Sequence, residues 1–303
     1  MSAHVPAGHP LLVVIDPAAR ALDGESVRIA KDVLCAGAPS VKFVLPDTAE
    51  EAERALAHRG RRHPVVLGDD AALLRTVRTL RRERALGDAP VSVVPIGPRS
   101  GLARALGVPV QVPAAARAVL EGETREMDLL VDDSGGIVLG ALSIPCGNPV
   151  ARTAAHWWTP VERTARSLVR TLTAPIPAGG HQPQRAQRLR VEADGVLLAD
   201  LDQPVHEISV RTCASVTERP AEAEVEAEGG GEAAADCASA PSLALAEVLV
   251  RRTQGAAQVR TRARTITVSG RDFRYRADSA ITGPVRSRTW TVEPSAWRLT
   301  VPR

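Results

Sequence analysis

The sequence contains few aromatic residues and almost no lysine. Aromatics make up 2% of the 303 residues, and Lys31 and Lys42 are the only lysines, so nearly all of the positive charge is arginine. Nucleic-acid-binding proteins commonly combine a basic surface with aromatic side chains on which bases stack. The net charge is only +3, and no basic stretch is interleaved with aromatics. Nucleic acid is therefore not an expected partner.

Cysteines and long apolar runs are also scarce. No CxxC pair is present and no histidine lies at metal-ligand spacing, so neither a zinc site nor a disulfide framework is predicted for the four cysteines, Cys35, Cys146, Cys213 and Cys237. No segment approaches the roughly 18 consecutive apolar residues of a membrane helix. The first residues also lack the basic segment of a secretory leader. We expect a cytoplasmic protein, and a peripheral position at the inner membrane surface remains open.

Several common active-site motifs are missing as well. The sequence has no GxxxxGK[ST] loop and no GxGxxG after a strand, which excludes the two common phosphate-binding motifs. It has no GxSxG turn for a serine hydrolase and no HExxH for zinc. The histidines are scattered along the chain. Standard nucleotide-binding and hydrolase motifs therefore give no lead to the function.

Residues 1–145 alternate short apolar runs with helical patterns. The apolar runs are LLVVID, VKFVL, PVVLG, VSVVPIG and MDLLVD, and each is followed by a helical stretch in a unit of about 30 residues. This alternation is typical of a parallel sheet covered by helices. Asp47, with Glu50 three residues later, resembles a capping box at the start of one helix. We predict a three-layer α/β domain over residues 1–145.

Residues 146–303 are predicted to form a mostly β domain, a sandwich. From about residue 185 the apolar period changes to two, as in RLRVEADGVLLAD around an Asp-Gly turn. A preceding helical pattern with Trp157 and Trp158 could dock on the protein itself or rest on a membrane surface. Residues 217–242 are rich in Glu, Ala and Gly and are predicted to be a disordered loop. This acidic loop could be a solvated tether or could mimic a phosphate-rich partner.

The stretch PVVLGDDAALLRTV, residues 64–77, joins an apolar run to a helical pattern through a polar turn. Turns of this kind present backbone N–H groups to phosphate at a helix start. This one is poor in glycine and rich in acid, so two interpretations stay open. It could be a degenerate phosphate-binding turn, or an ordinary loop in which Asp70 caps the following helix.

The order of four strings resembles the diacylglycerol kinase catalytic domain. They are LLVVIDPAAR, VVLGDDAAL, VVPIGPRSGLARALGVP and GETREMDLL, and they correspond to the family's NPxSG, GGDGTL, PLGTGNDFARxLGIP and xDL strings. Later segments, FRYRADSAITGP and TVEPSAWRLTVP, are similar to the DGE turn and the closing segment of the family's second domain. The resemblance implies ATP and Mg²⁺ in a cleft between two domains, and transfer of the γ-phosphoryl group to a lipid hydroxyl, with a lipid such as diacylglycerol as partner. Whether the chain forms a homodimer stays open.

The resemblance also implies site residues. Asp70 and Asp128 would lie near Mg²⁺, and Asp278 is the remaining candidate for the general base because Ala280 stands at the family's glutamate. The residues expected near the nucleotide are Asp16, Thr48, Gly68, Asp69, Asp70, Ala71, Ala72, Gly97, Arg99 and Ser100.

The sequence departs from the family's pattern at most of its motifs. Asp69, Ala71 and Ala72 replace Gly, Gly and Thr, so we expect steric strain at positions that need φ > 0, and repulsion of a triphosphate. Arg99 could offset that repulsion or could be a solvent-exposed loop residue. Three functions remain open: an ATP-dependent lipid kinase, a pseudokinase that acts as a lipid- or protein-binding module, and an enzyme that uses a smaller phosphate donor.

Overall fold

The computed structural model describes residues 9–145, 186–212, 244–252 and 258–303. The helical pattern around Trp157 and Trp158 and the acidic loop at 217–242 lie outside the described residues. Cys146, Cys213 and Cys237 also lie outside them, whereas Cys35 is an exposed free thiol. None of the described helices is long and apolar enough to cross a membrane.

The first domain contains a four-stranded parallel sheet in the order β2-β1-β3-β4. The two central strands are buried along their whole length, which explains their uninterrupted apolar sequences. The strands are β1 (Leu11–Ile15), β2 (Val41–Val44), β3 (His63–Gly68) and β4 (Ser92–Pro95).

Helices cover both faces of this sheet. Alternate side chains of β1 belong to two different clusters: Val13 packs in the core that contains α2 and α6, and Val14 packs against Leu56 of α3. The predicted layers of helix, parallel sheet and helix are therefore confirmed. The helices are α1 (Pro17–Leu22), α2 (Gly24–Gly37), α3 (Ala49–Ala57), α4 (Asp70–Arg82), α5 (Gly101–Ala105) and α6 (Val112–Glu121).

The capping box of α3 lies one residue later than predicted. Thr48, not Asp47, is the N-cap, and its hydroxyl accepts the backbone N–H of Glu51 at 3.2 Å. The Glu51 carboxylate in turn accepts the N–H of Asp47 at 2.9 Å. Asp47 and Thr48 both offer a capping oxygen and Glu50 and Glu51 both follow at the right spacing, so the sequence does not distinguish the two registers.

The second domain is mostly β, as predicted, and its strands form one antiparallel sheet of ten described strands. MDLLVD, which we predicted in the parallel sheet, lies instead in β5, and β5 pairs antiparallel with β14. A continuous apolar run shows only that a strand is buried on both faces, not which sheet it joins. The strands are β5 (Glu123–Asp132), β6 (Ile137–Val138), β7 (Ala141–Ile144), β8 (Gln187–Ala193), β9 (Val196–Ala199), β10 (Pro204–Thr212), β11 (Ala246–Arg252), β12 (Gln258–Ala263), β13 (Thr265–Ala277) and β14 (Ala280–Val301).

Strand β14 contributes to both hydrophobic cores. Trp290 packs in the core of the β domain, where its ring meets Tyr275 edge-on at 5.1 Å, whereas Trp297 packs in the core of the α/β domain. Strands β5, β6 and β7 precede residue 145 but pair within the second sheet. The strand pairing thus changes from one sheet to the other after α6, and an independent domain boundary at residue 145 stays a prediction.

Candidate functional site

The turn between β3 and α4 is closed by its own side chain. Asp69 is the N-cap of α4, and one of its carboxylate oxygens accepts the backbone N–H groups of Ala71 and Ala72 at 3.0 and 3.1 Å. These N–H groups are the ones that a bound phosphate would use at this helix start. Asp69 has φ −86° and ψ −177°, an ordinary extended conformation. The strain that we expected at this position is therefore absent, because the turn is an N-capping turn.

Arg99 covers the outer side of the Asp69 carboxylate. Its Nη2 lies 2.8 Å from Asp69 Oδ2, and its Nε donates to the same oxygen at 3.0 Å. The Arg99 side chain is about two-thirds exposed, so this ion pair sits at the surface. Nearby, Gly97 has φ +117°, a conformation that favours glycine, and a Cβ there would touch Asp69. The structure thus brings Asp69, Gly97 and Arg99 together, and their role near a nucleotide stays a prediction.

Asp70 caps a different helix from the one that it begins. Its carboxylate is buried and accepts the N–H groups of Leu102 and Ala103 in α5, at 3.0 and 3.1 Å. Ser100, at the N-cap position of α5, makes no side-chain capping bond, so Asp70 takes that role. Burial raises the pKa of Asp70, and the hydrogen bonds from α5 offset part of the rise.

Asp278 lies in the turn between β13 and β14 and is held by three backbone groups. Its carboxylate accepts the N–H groups of Leu139, Gly140 and Ala141 at 2.8 to 3.1 Å. Its own N–H donates to Ala141 O at 2.8 Å, and its φ is +49°. Burial raises the pKa of Asp278, partly against these hydrogen bonds. These hydrogen bonds give the Asp278 carboxylate a structural role, and its role as a base stays a prediction.

Asp70 and Asp278 approach each other where the two domains meet. Leu102 of α5, whose N–H binds Asp70, packs on Gly140, whose N–H binds Asp278. A Cβ on Gly140 would lie 2.8 Å from the Leu102 side chain and 3.3 Å from Asp278. The negative charge of Asp70 contributes to the raised pKa of Asp278. The structure thus places the predicted base and one predicted metal ligand at a single domain junction.

Asp128 anchors a bulge in β14. Its carboxylate accepts the N–H of Ser295 at 3.0 Å, and its backbone carbonyl accepts the indole N–H of Trp297 at 3.3 Å. Ser295 has φ +45°, and the register of β14 on β5 shifts between Glu293 and Trp297. Burial raises the pKa of Asp128. Asp128 therefore fixes the segment PSAW, which resembles the family's closing string.

Asp16 and Gly68 lie at the carboxyl ends of β1 and β3. Asp16 caps α1 by accepting the N–H of Ala18 at 2.9 Å, and it forms an ion pair with Arg75 of α4. A Cβ on Gly68 would lie 2.7 Å from the Ala72 Cβ and 2.9 Å from the Asp16 Cβ, so glycine is required for close packing here. Thr48 is exposed at the start of α3 and serves as its cap.

The described residues do not fit a Mg²⁺–triphosphate group at this junction. The N–H groups of Ala71 and Ala72 are bonded to Asp69. Asp70 and Asp278 accept backbone N–H groups through both of their oxygens, and Asp128 accepts one through Oδ1. Among the described residues, no three His, Cys, Asp or Glu side chains are grouped closely enough to hold a metal ion. ATP and Mg²⁺ therefore stay sequence-based predictions without a matching arrangement of donors.

Sequence analysis missed two polar contacts that join the domains. Arg81 of α4 binds Glu293 of β14 through both of its terminal nitrogens. His63 of β3 contacts Ser92 Oγ at 2.7 Å, and Ser92 donates to Thr300 of β14 at 2.8 Å. Glu293 and Thr300 lie more than 200 residues from these partners, and no local pattern marks them. In the sequence, His63, Ser92 and Thr300 stand out only as single polar residues within otherwise apolar strands.

The described residues define a protein in which a helix-covered parallel sheet meets a mostly β sheet at a junction where Asp70 and Asp278 lie close to each other. Residues 10–131 match the family described as the diacylglycerol kinase catalytic domain. This match agrees with the resemblance predicted from the sequence.

Solved structures extend the likeness in fold to nearly the whole chain. Two structures of a candidate diacylglycerol kinase from Bacillus anthracis str. Sterne are 12% and 13% identical to this chain, each with a TM-score of 0.64. A third, of a diacylglycerol kinase from the same organism, is 12% identical with a TM-score of 0.63. Each comparison covers 97% of both chains. No curated protein matches the sequence.

Proposed function

We propose that this protein is a catalytically degenerate member of the diacylglycerol kinase fold, a pseudokinase that acts as a lipid- or protein-binding module. The observation that supports this most strongly is the hydrogen bonding of Asp69. Its carboxylate fills the start of α4, where a phosphate would otherwise meet free N–H groups. A nucleotide would have to displace this carboxylate and then tolerate its charge nearby.

The charges around the turn support the same proposal. Arg99 could attract a phosphate, but it is already paired with Asp69. Asp70 adds a second buried carboxylate next to the turn. A tetra-anionic nucleotide would therefore face two acids and one shared arginine. By contrast, both hydrophobic cores are intact, so the fold is preserved although the donors for phosphate are not.

We expect Mg²⁺–ATP at millimolar concentration to leave the melting temperature of the full chain unchanged. A ligand present at a hundredfold excess over Kd stabilises the native state by about 2.7 kcal/mol. For a chain of this size, that corresponds to a shift of roughly 4 °C, which a thermal-shift titration detects easily. Mg²⁺–ADP serves as a second ligand, because it tests whether a smaller nucleotide is accepted. A clear shift of the wild-type protein with either nucleotide would overturn the proposal.

The variant Asp69→Gly tests whether Asp69 closes the site. Glycine at an N-cap costs only a few tenths of a kcal/mol relative to aspartate, so α4 should remain folded. We expect this variant to gain a nucleotide-dependent shift that the wild type lacks, because the α4 N–H groups and Arg99 become free. The control is Asp23→Gly at the N-cap of α2, which removes a capping carboxylate elsewhere in the same domain. A shift in the control variant as well would show that the effect is not specific to the turn.

A second candidate function is ATP-dependent phosphoryl transfer to a lipid such as diacylglycerol. The convergence of Asp70 and Asp278 at the domain junction favours it, as does the positive φ of Gly97. Asp278 would then act as the base, and Asp70 would lie beside it. An enzyme of this kind should incorporate labelled phosphate into diacylglycerol, and Asp70→Asn should abolish that incorporation while keeping a hydrogen-bond acceptor for α5. Asp47→Asn, at an exposed position, is the control.

A further inference from the structure

The outer face of strands β8, β13 and β14 carries an unbalanced group of arginines. We call this group the basic face; its members are Arg188, Arg271, Arg274 and Arg286, and all four are exposed. Strand β13 pairs with β8 on one side and with β14 on the other, so the four residues lie on three adjacent strands. The neighbouring side chains on these strands, such as Leu189 and Phe273, point into the core and are buried.

Little negative charge balances the basic face within the described residues. Arg286 lies 3.5 Å from Asp272, but the Arg286 side chain remains 86% exposed. Arg190, on the same side of β8, is already paired with Glu192. In the described part of the chain, Arg188, Arg271 and Arg274 have no ion-pair partner. Leu189 pairs with Gly270, and Arg188 and Arg271 are the chain neighbours of that pair. Like charges gathered on one face repel each other, which favours an external anionic partner.

The same surface also exposes apolar side chains. Ile281 of β14 is 53% exposed and lies opposite Arg276, on the outer side of the β13–β14 hairpin. Pro284, also exposed, lies close to Arg286 on the same strand. The aromatic residues of this hairpin, Phe273, Tyr275 and Trp290, are buried. Among the described residues, this surface therefore combines guanidinium groups with an aliphatic side chain and exposes no aromatic ring on which a nucleic-acid base could stack.

We propose that the basic face binds the surface of an anionic phospholipid membrane. Arginine is well suited to phosphate oxygens because its planar fork presents several donors. Basic side chains near an anionic membrane contribute about 1 kcal/mol each, which is about a fivefold change in partition. Ile281 can enter the boundary between headgroups and acyl chains. This inference goes beyond the proposed function, because it requires neither a nucleotide nor a particular activity at the domain junction.

The test is flotation of the full chain with vesicles of phosphatidylcholine, with and without phosphatidylglycerol as about one third of the lipid. We expect binding only to the anionic vesicles, and we expect it to weaken as salt is added. The double variant R271Q and R274Q should reduce the partition coefficient about 30-fold, because each arginine contributes about fivefold and the two free-energy contributions add. The matched control is R61Q with R117Q, which removes the same charge from exposed positions in the α/β domain. Unchanged melting temperatures establish that each variant is folded.

Three results would overturn the proposal: no binding of the wild type to anionic vesicles, an equal loss in the control pair, or tighter arginine-dependent binding to a labelled DNA duplex than to vesicles. I281S provides a separate readout, because it should lower the binding that remains at high salt and leave the salt-dependent part unchanged. The outcome is independent of the nucleotide titration, so failure of one leaves the other standing.

Discussion

Asp278→Ala is expected to lower the free energy of unfolding by about 3 kcal/mol more than the same change at Asp272. Removal of the Asp278 carboxylate leaves the N–H groups of Leu139, Gly140 and Ala141 without an acceptor, and each unsatisfied group costs about 1 kcal/mol or more. Asp272 is a matched control: it lies on β13, shortly before the turn that contains Asp278, also has a positive φ, and is exposed. Any strain that alanine suffers at positive φ is therefore common to both variants.

Chemical denaturation of both variants, followed by circular dichroism, gives the comparison directly. The difference between them isolates the three hydrogen bonds, since the backbone effect of alanine cancels. If both variants lost the same free energy of unfolding, the Asp278 carboxylate would not be held by the β6–β7 connection. It would then remain a candidate base. A large loss, by contrast, would show why Asp278 is retained where Ala280 has replaced the family's glutamate.

The architecture could be predicted from sequence because it depends on periodicity. The apolar runs of β1 and β3 are buried on both faces, and their continuous patterns predict a covered parallel sheet. The run in β5 has the same pattern for a different reason, since it lies between β6 and β14. Periodicity reports burial but not the partner strand, and this explains why β5 was assigned to the wrong sheet.

The candidate site was less predictable because its side chains act across long stretches of chain. Asp69 and Asp70 are neighbours, and either could cap α4 on sequence grounds. In the fold, Asp69 caps α4 and Asp70 caps α5, which lies about 30 residues further along. The same holds for Asp128, which binds a bulge that only the pairing of β5 with β14 brings close. The resemblance located these positions, but their hydrogen-bond partners follow from the tertiary structure.

His63 is expected to make the stability depend strongly on mildly acidic pH. It is buried between β3 and β4, in the hydrogen-bonded chain with Ser92 and Thr300. Burial, assisted by the positive charges of nearby residues, lowers the pKa of His63 from 6.5 to about 4. The folded protein therefore binds this proton less readily than the unfolded chain does. The stabilisation is fully present above pH 6.5 and is lost progressively as the pH falls to about 4.

The size of this effect and its control follow from the same pKa values. A folded pKa of about 4 against 6.5 in the unfolded chain corresponds to about 3 kcal/mol. The measurement is the free energy of unfolding of the wild type and of His63→Gln between pH 8 and pH 4. Glutamine can keep a contact with Ser92 but cannot gain a proton, so its stability should fall less over this interval. Because carboxylates titrate equally in both proteins, the difference between the two curves reports His63 alone. Parallel curves would mean that His63 takes up its proton as readily in the folded protein as in the unfolded chain, and therefore that the hydrogen-bonded chain joining the two sheets accommodates a buried positive charge below pH 6.5.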